Sequence, residues 1–420
     1  MVEKGPMKIA WIFPQNKLCG ISFYSQKYVQ ALRRSISIEC LDPLDYCNNR
    51  KAFLEAIQSC DVCHIQYETS FFLLNNKDFF FSMCSEIKCP IIVTLHEVYK
   101  QFPDVFPRDK IKGNLFTKPI KEHIYDKRHP FATSFARHVS KGFCADKIIV
   151  HAQFQKDVLI ATGLIPRSLL RLLPHSCEAL PLSTCGEGTK GRGCFQILRS
   201  LFRGSSFEKG LVAGEIDVLP IPVLSIDNST QDKWKNDQTL NLAATGFINP
   251  SYDYDVLFKT LDLCDMPWKF TWIGGVRRQE DQALLDTIQA DVAKRGWENR
   301  FVITGKISDE KRDAMLSNAH IYCALFKNKS SSESLATAIG SRSLIIATRL
   351  PLTVEMTSEL PVMHLVENDP KTVVVAIKKI NSDARMRESL TNACEKYTVR
   401  YSYENMAKRM VSEYEGLLNA

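Results

Sequence analysis

No stretch of this chain approaches the ~20 consecutive apolar residues that a membrane-crossing helix needs. The opening residues, MVEKGPMKIAWIFP, lack the layout of a secretory leader, because the apolar stretch is short and runs straight into a strand pattern. Both absences lead us to expect a cytoplasmic chain. In that compartment the 14 cysteines read as reduced, mostly buried thiols rather than disulfides. Cys60 and Cys63 form a single CxxC, without the second pair or histidine pair that a zinc site needs. No repeat of solenoid period is present. No recognised nucleic-acid module accompanies the net charge of +7, so nucleic acid is not an expected partner. What remains is an ordinary globular composition, 45% hydrophobic and 24% charged. The length suits about two or three domains.

The chain then declares an alternation. KIAWIFP, DVCHIQYE, PIIVTLHE, DKIIVHA and LRLLPHS are short apolar runs, and helical patterns such as Gly20–Arg34 lie between most of them. From residue 238 a second series begins, with LNLAATGFI, WKFTWIGG, RFVITG, HIYCALF and SLIIAT as strands. Tyr254–Leu263, Glu280–Ala293 and Asp309–Ser317 fit helices, and Tyr403–Leu418 reads as an amphipathic final helix. Strands alternating with helices predict parallel sheets covered on both faces. Ligands of such sheets sit at the carboxyl ends of the strands. That rule gathers Gly20, Gln66, Glu68, His96 and His175 around one crevice. Between residues 178 and 237 the pattern weakens into Gly-, Ser- and Thr-rich stretches, which reads as an insertion and interdomain connection.

Charge is unevenly spread. Pro107–Lys141 carries nine Lys and Arg against three acids, interleaved with Ile111, Leu115, Phe116, Ile120, Ile124 and Tyr125. Such a mixture suits an anionic membrane surface or a phosphorylated acceptor, and equally a solvated loop and helix face. The expected localisation is therefore cytoplasmic, with peripheral attachment to the inner membrane face as an extension.

Read together, CGISFYSQKYVQAL, DVCHIQYE, IIVTLHEV, DKIIVHA, LLPHS, ATGFINP, TWIGG, FVITGKISDEKRDAMLSNAHIYCALF and SSSESLATAIGSRSLIIAT resemble glycosyltransferase family 4, the group 1 type. The resemblance covers most of the chain outside about Glu178–Asp237. It implies the GT-B fold, two Rossmann-like doubly wound domains facing each other across a cleft. The implied organisation is an acceptor domain at 1–177, the connection at 178–237, a donor domain at 238–400, and a returning helix at 401–420. The implied activity is transfer of a sugar from a nucleotide-sugar donor to a glycan or lipid-linked acceptor, with retention, without a metal and without a cofactor, since the nucleotide sugar is a substrate. Gly20, followed by Ile21, matches the first-domain loop glycine that approaches the donor diphosphate. His96 matches a histidine placed beside the reacting sugar, and Gln66 and Glu68 fall on the acceptor side. In the second domain the donor residues would be Gly246, Ser332, Glu333, Ser334 and Thr337.

The departures from the family pattern are as informative. Arginine and lysine usually follow the second-domain glycine, and both stabilise the departing diphosphate. Phe247 and Tyr252 stand there instead. The family's paired glutamates fall at Lys329 and Thr337, and Arg342 occupies a usual glycine position. Ser330, Ser331, Ser332 and Glu333 resemble the small-polar turn of one branch. Charge-assisted contacts to a leaving phosphate are a large catalytic contribution, so substitutes are needed. Arg277 and Arg278 are the leading ones, with Lys327, Lys329 and Arg342 also flanking the donor turn. The alternative is a catalytically degenerate protein of the same fold, acting as a binding or partner subunit. Asp253 and Asp255 form a DxD, but before a helix aspartate is a favoured cap.

Overall fold

The computed structural model describes residues 6–15, 19–75, 77–98, 117–140, 142–161, 165–166, 212–213, 215–226, 234, 239–277 and 279–419. Its contacts divide into two units, Met1–Leu219 with Ala407–Ala420, and Pro220–Met406. Each unit is built on one six-stranded sheet.

The first sheet comprises β1 (Lys8–Ile12), β2 (Ser37–Leu41), β3 (Val62–Tyr67), β4 (Ile91–Leu95), β5 (Lys147–Val150) and β6 (Glu215–Val218). Its order is β6-β5-β4-β3-β1-β2, with every pair parallel. Strands β3, β4 and β5 are buried at every residue, which is why they read as near-continuous apolar runs. Alternation sends Cys63, Ile65 and Tyr67 of β3 into an apolar cluster with Phe72, Phe80 and Phe143. The opposite face of β3 and β4 carries His64, Gln66 and Thr94, all fully buried. Polar groups there need partners, because an unpaired buried polar group is costly.

The final helix, Tyr403–Leu418, supplies one of those partners, and its residues from Ala407 onward belong to the first unit. The Tyr414 hydroxyl lies 2.6 Å from His64 Nδ1, and Thr94 Oγ1 lies 2.7 Å from Nε2. Trp11 covers the same ring, with centroids 4.4 Å apart. Burial lowers the His64 pKa to about 3, so the ring is neutral at physiological pH. At the sheet edge Lys147 Nζ bonds Glu413 at 2.6 Å and Asp217 at 3.0 Å, tying the helix to β5 and β6. Burial opposes the charged lysine, but these carboxylates outweigh it and raise its pKa. Because the folded pKa is raised, this contribution is complete at neutral pH and is lost only as pH rises through the lysine range.

The second sheet comprises β7 (Leu240–Thr245), β8 (Trp268–Ile273), β9 (Phe301–Ile303), β10 (Ile321–Ala324), β11 (Leu344–Thr348) and β12 (His364–Val366). Its order is β9-β8-β7-β10-β11-β12, again all parallel. This is the third-second-first-fourth-fifth-sixth order of a dinucleotide-binding sheet, whose switch point lies between β7 and β10. In the first sheet the chain reverses between β1 and β3.

One expectation is corrected here. The stretch 178–237 is not merely an insertion and connection: Glu215–Val218 is the edge strand β6, in parallel register with β5. Its acidic residues Glu215 and Asp217 face Lys147, so the strand lacks the apolar run that would have betrayed it. The segment LRLLPHS, with His175, lies outside the described residues, as does all of 178–211.

Replacing Tyr414 by Phe should leave His64 Nδ1 without its partner inside a buried face, at a cost of about 1–3 kcal/mol. Chemical denaturation checks this. A loss under about 0.5 kcal/mol, the usual range of inconsequential surface substitutions, would show that the helix is held without this bond.

Candidate functional site

In the second unit the carboxyl ends of the strands are lined by glycine. Gly246 follows β7 with φ of +110°, a conformation open to few residues with a Cβ. Gly274 follows β8 at φ +145°, and a Cβ on it would stand 2.1 Å from the Gly246 carbonyl oxygen. Gly275 is nearly as tight, 3.1 Å from the Gly305 Cα. The Trp272 indole N–H closes this rim by donating to the Gly246 carbonyl at 3.0 Å.

The helix Glu333–Gly340 begins at the rim. Ser332 caps it, its hydroxyl accepting from the Leu335 N–H at 3.2 Å and lying 3.1 Å from the Ser334 hydroxyl. A Cβ added at Gly246 would meet Ser334 Cβ at 3.6 Å, so the helix start and the rim touch. Backbone N–H groups at a helix N-terminus attract anions. The structure brings Gly246 next to Ser334, with Ser332 and Glu333 in the same helix start. Thr337 sits one turn further, and its hydroxyl donates back to the Glu333 carbonyl at 3.0 Å.

The positions that depart from the family pattern are physically distinct. Tyr252 is fully buried, its hydroxyl donating to the Cys323 carbonyl at 3.0 Å, and it packs edge-on against Trp272. Phe247 is 39% exposed beside Gly246, and the Arg277 guanidinium lies over its ring at 5.8 Å. A cation thus returns to the neighbourhood of the missing arginine, carried by the β8 end. Arg278 lies outside the described residues. Arg342 is no substitute: at the far end of the helix it pairs with Glu395 at 3.2 Å. It does so at φ +53°, where glycine would be unstrained. Lys329 rests over the Phe326 ring at 5.8 Å, and Lys327 is exposed. Asp253 caps the Tyr254–Leu263 helix and accepts from Asn368 at 2.9 Å, while Asp255 pairs with Lys259. Both carboxylates of the DxD thus have partners within this unit.

In the first unit, Gly20 opens the Gly20–Leu32 helix, capped by Cys19, with Ile21 half-buried in its first turn. Tyr24 of this helix meets the His96 ring edge-on at 4.8 Å. His96 follows β4 and is 4% exposed. Its Nε2 lies 2.9 Å from Gln66 Oε1, and its Nδ1 lies 3.1 Å from His151 Nε2. His151 follows β5, and its own Nδ1 lies 3.0 Å from the Leu219 carbonyl. Burial, with the neighbouring imidazoles His151 and His64 adding to it, holds the His96 pKa well below its ordinary value. Burial also lowers that of His151, to about 4. Glu68 stands apart, accepting from the Ser70 hydroxyl at 2.6 Å.

His151 escaped the sequence reading. Register brings it in: Leu95 and Val150 are partners, so the histidines that follow them leave adjacent strands side by side.

No protein-family model and no curated protein matches the sequence. Solved structures do. Anabaena HepE, in complex with UDP and glucose, is 11% identical with a TM-score of 0.64, covering 98% of this chain and 100% of its own. Sucrose-phosphate synthase from Thermosynechococcus elongatus is 12% identical with a TM-score of 0.62, covering 98% and 99%. A glycosyltransferase from Rickettsia africae is 13% identical with a TM-score of 0.61, covering 99% of each chain. Identities this low establish architecture. The fold is GT-B, built from two Rossmann-like units of parallel sheet and helices.

Proposed function

We propose that this chain is a family 4 glycosyltransferase, moving a sugar from a nucleotide-sugar donor to a glycan or lipid-linked acceptor with retention and without a metal. The observation that carries the reading is the contact between Gly246 and Ser334, which sets a Cβ-free backbone against a helix N-terminus. That pairing suits a diphosphate, since N–H groups and the helix dipole stabilise its charge without a side-chain cation. HepE has been solved with UDP and with UDP-glucose, which makes uridine nucleotides the first ligands to try. Arg277, held over Phe247, takes part of the charge the family gives to its arginine. Gly20 offers a second helix start to the same ligand class, and Gln66 and Glu68 are placed on the acceptor side. We assign His96 to the reacting face, where exchange of Gln66 for a substrate hydroxyl engages its Nε2.

A second reading, a binding subunit without transferase activity, draws on Tyr252 and Thr337. Both side chains are committed internally, the one to the Cys323 carbonyl and the other to the Glu333 carbonyl.

A thermal-shift screen of nucleoside diphosphates and nucleotide sugars tests both. A ligand at ~100 times its dissociation constant should stabilise the fold by about 2.7 kcal/mol. Arg277→Ala should weaken that ligand about tenfold or more, the usual scale for a charge-assisted contact. Absence of any shift across the screen rejects the first reading and leaves the second. A shift without sugar transfer to any glycan or lipid-linked acceptor selects the second.

For the acceptor side we propose contact with an anionic membrane. The helix Thr117–Arg128 presents Lys118, Lys121, Lys127 and Arg128, with Ile120 61% and Ile124 45% exposed. Replacing those four cations with Gln should weaken binding to anionic vesicles by up to ~4 kcal/mol, at about 1 kcal/mol per charge. Equal binding by both proteins would return the helix to a solvated surface.

A further inference from the structure

The four groups along Gln66, His96, His151 and Leu219 make three hydrogen bonds, and the bonds do not balance as the side chains first present themselves. The Leu219 carbonyl can only accept, so His151 Nδ1 must carry a proton. A neutral His151 then offers a lone pair at Nε2, and His96 Nδ1–H donates to it. A neutral His96 is left with a lone pair at Nε2. Facing that lone pair at 2.9 Å is Gln66 Oε1, which is also only an acceptor. Three bonds strung between two acceptors require three protons, and two neutral imidazoles carry two.

Two resolutions exist. One adds a proton and makes an imidazolium. Burial opposes it: Gln66, His96 and His151 are all buried, Tyr24 packs on the His96 ring from the Gly20–Leu32 helix, and His64 adds to the cost, while the Leu219 carbonyl favours charge on His151 without offsetting the burial. Among the described residues no carboxylate bonds a ring nitrogen of the pair. The other turns the Gln66 amide end for end, which alters no shape because the two ends are near-isosteric. Its nitrogen, which is otherwise buried with no partner, then donates to His96 Nε2. Every bond in the chain now has one proton, running from Gln66 through His96 and His151 to Leu219.

We propose that Gln66 and His151 are positioning residues that lock His96 as the neutral Nδ1–H tautomer, with the Gln66 amide N–H directed at its Nε2 lone pair. The consequence is a polarity. The nitrogen His96 can offer to a substrate accepts a hydrogen bond. It fits a sugar hydroxyl and repels the oxygen of a phosphate. This rests on the assignment of His96 to the reacting face, but the tautomer itself does not.

Nitrogen-15 NMR of the full-length chain labelled at histidine reads the tautomer directly, with His96 assigned by the signal lost in His96→Gln. The expected result at neutral pH is a protonated Nδ1 and an unprotonated Nε2 on both His96 and His151. Gln66→Glu, whose carboxylate only accepts once ionised, should move a proton onto His96 Nε2 at a pH where that carboxylate is ionised. His151→Phe removes the acceptor at Nδ1 and should abolish the single-tautomer signature. The His64 resonances, fixed by Tyr414 and Thr94, report whether each variant keeps its fold. An Nε2-protonated or doubly protonated His96 in the unmodified protein overturns the proposal, even if no variant folds. An unchanged His96 tautomer in folded His151→Phe, or in folded Gln66→Glu with its carboxylate ionised, overturns it equally. Neither outcome bears on whether sugar is transferred, which the ligand screen decides separately.

Discussion

Much in the second unit depends on one close approach, the carbonyl of Gly246 against the α-carbon of Gly274. A methyl group on Gly274 would sit 2.1 Å from that oxygen, well inside contact distance. The two residues can be glycine or the strand ends must separate. Because they are glycine, β7 and β8 end together, Trp272 can reach the Gly246 carbonyl, and Ser334 comes to the rim. The start of the Glu333–Gly340 helix is thereby held at the switch point of the sheet, where ligands of this architecture collect.

The positions where the resemblance would place cations lie close to this contact. Tyr252 is a core aromatic, packed on Trp272 and Tyr254. Phe247 keeps the neighbouring position open to solvent and carries Arg277 on its ring. Arg277 is exposed, so its contribution in the absence of ligand is small. It would grow on desolvation by a bound diphosphate.

The sequence disclosed the interior better than the margins. Tyr254–Leu263 and Tyr403–Leu418 are helices at the expected bounds, and β3, β4, β5, β7, β8, β10 and β11 all stand where apolar runs predicted them. The strands that went unread, β2, β6 and β12, are all edge strands. An edge strand has one partner and keeps more polar residues, as in SIECL, EIDV and HLV, so its pattern is diluted. Of the site, the glycine and serine positions were legible because conformation and helix capping constrain residue type. His151 was not, because its importance comes from register with His96 across two strands rather than from anything near it in sequence. The exclusion of Arg342 was equally hidden, since its partner Glu395 lies on another helix, beside a cavity of about 280 Å³ lined also by Ser225, Thr398, Ser402 and Asn405.

Hydrogen–deuterium exchange with and without UDP tests the central claim most directly. The account predicts slowed exchange in residues 246–249 and 332–336 on adding the nucleotide, with no change in residues 398–405 around the Arg342 cavity. Binding that protects the Arg342 cavity, or any other segment, while leaving residues 246–249 and 332–336 unchanged would contradict it.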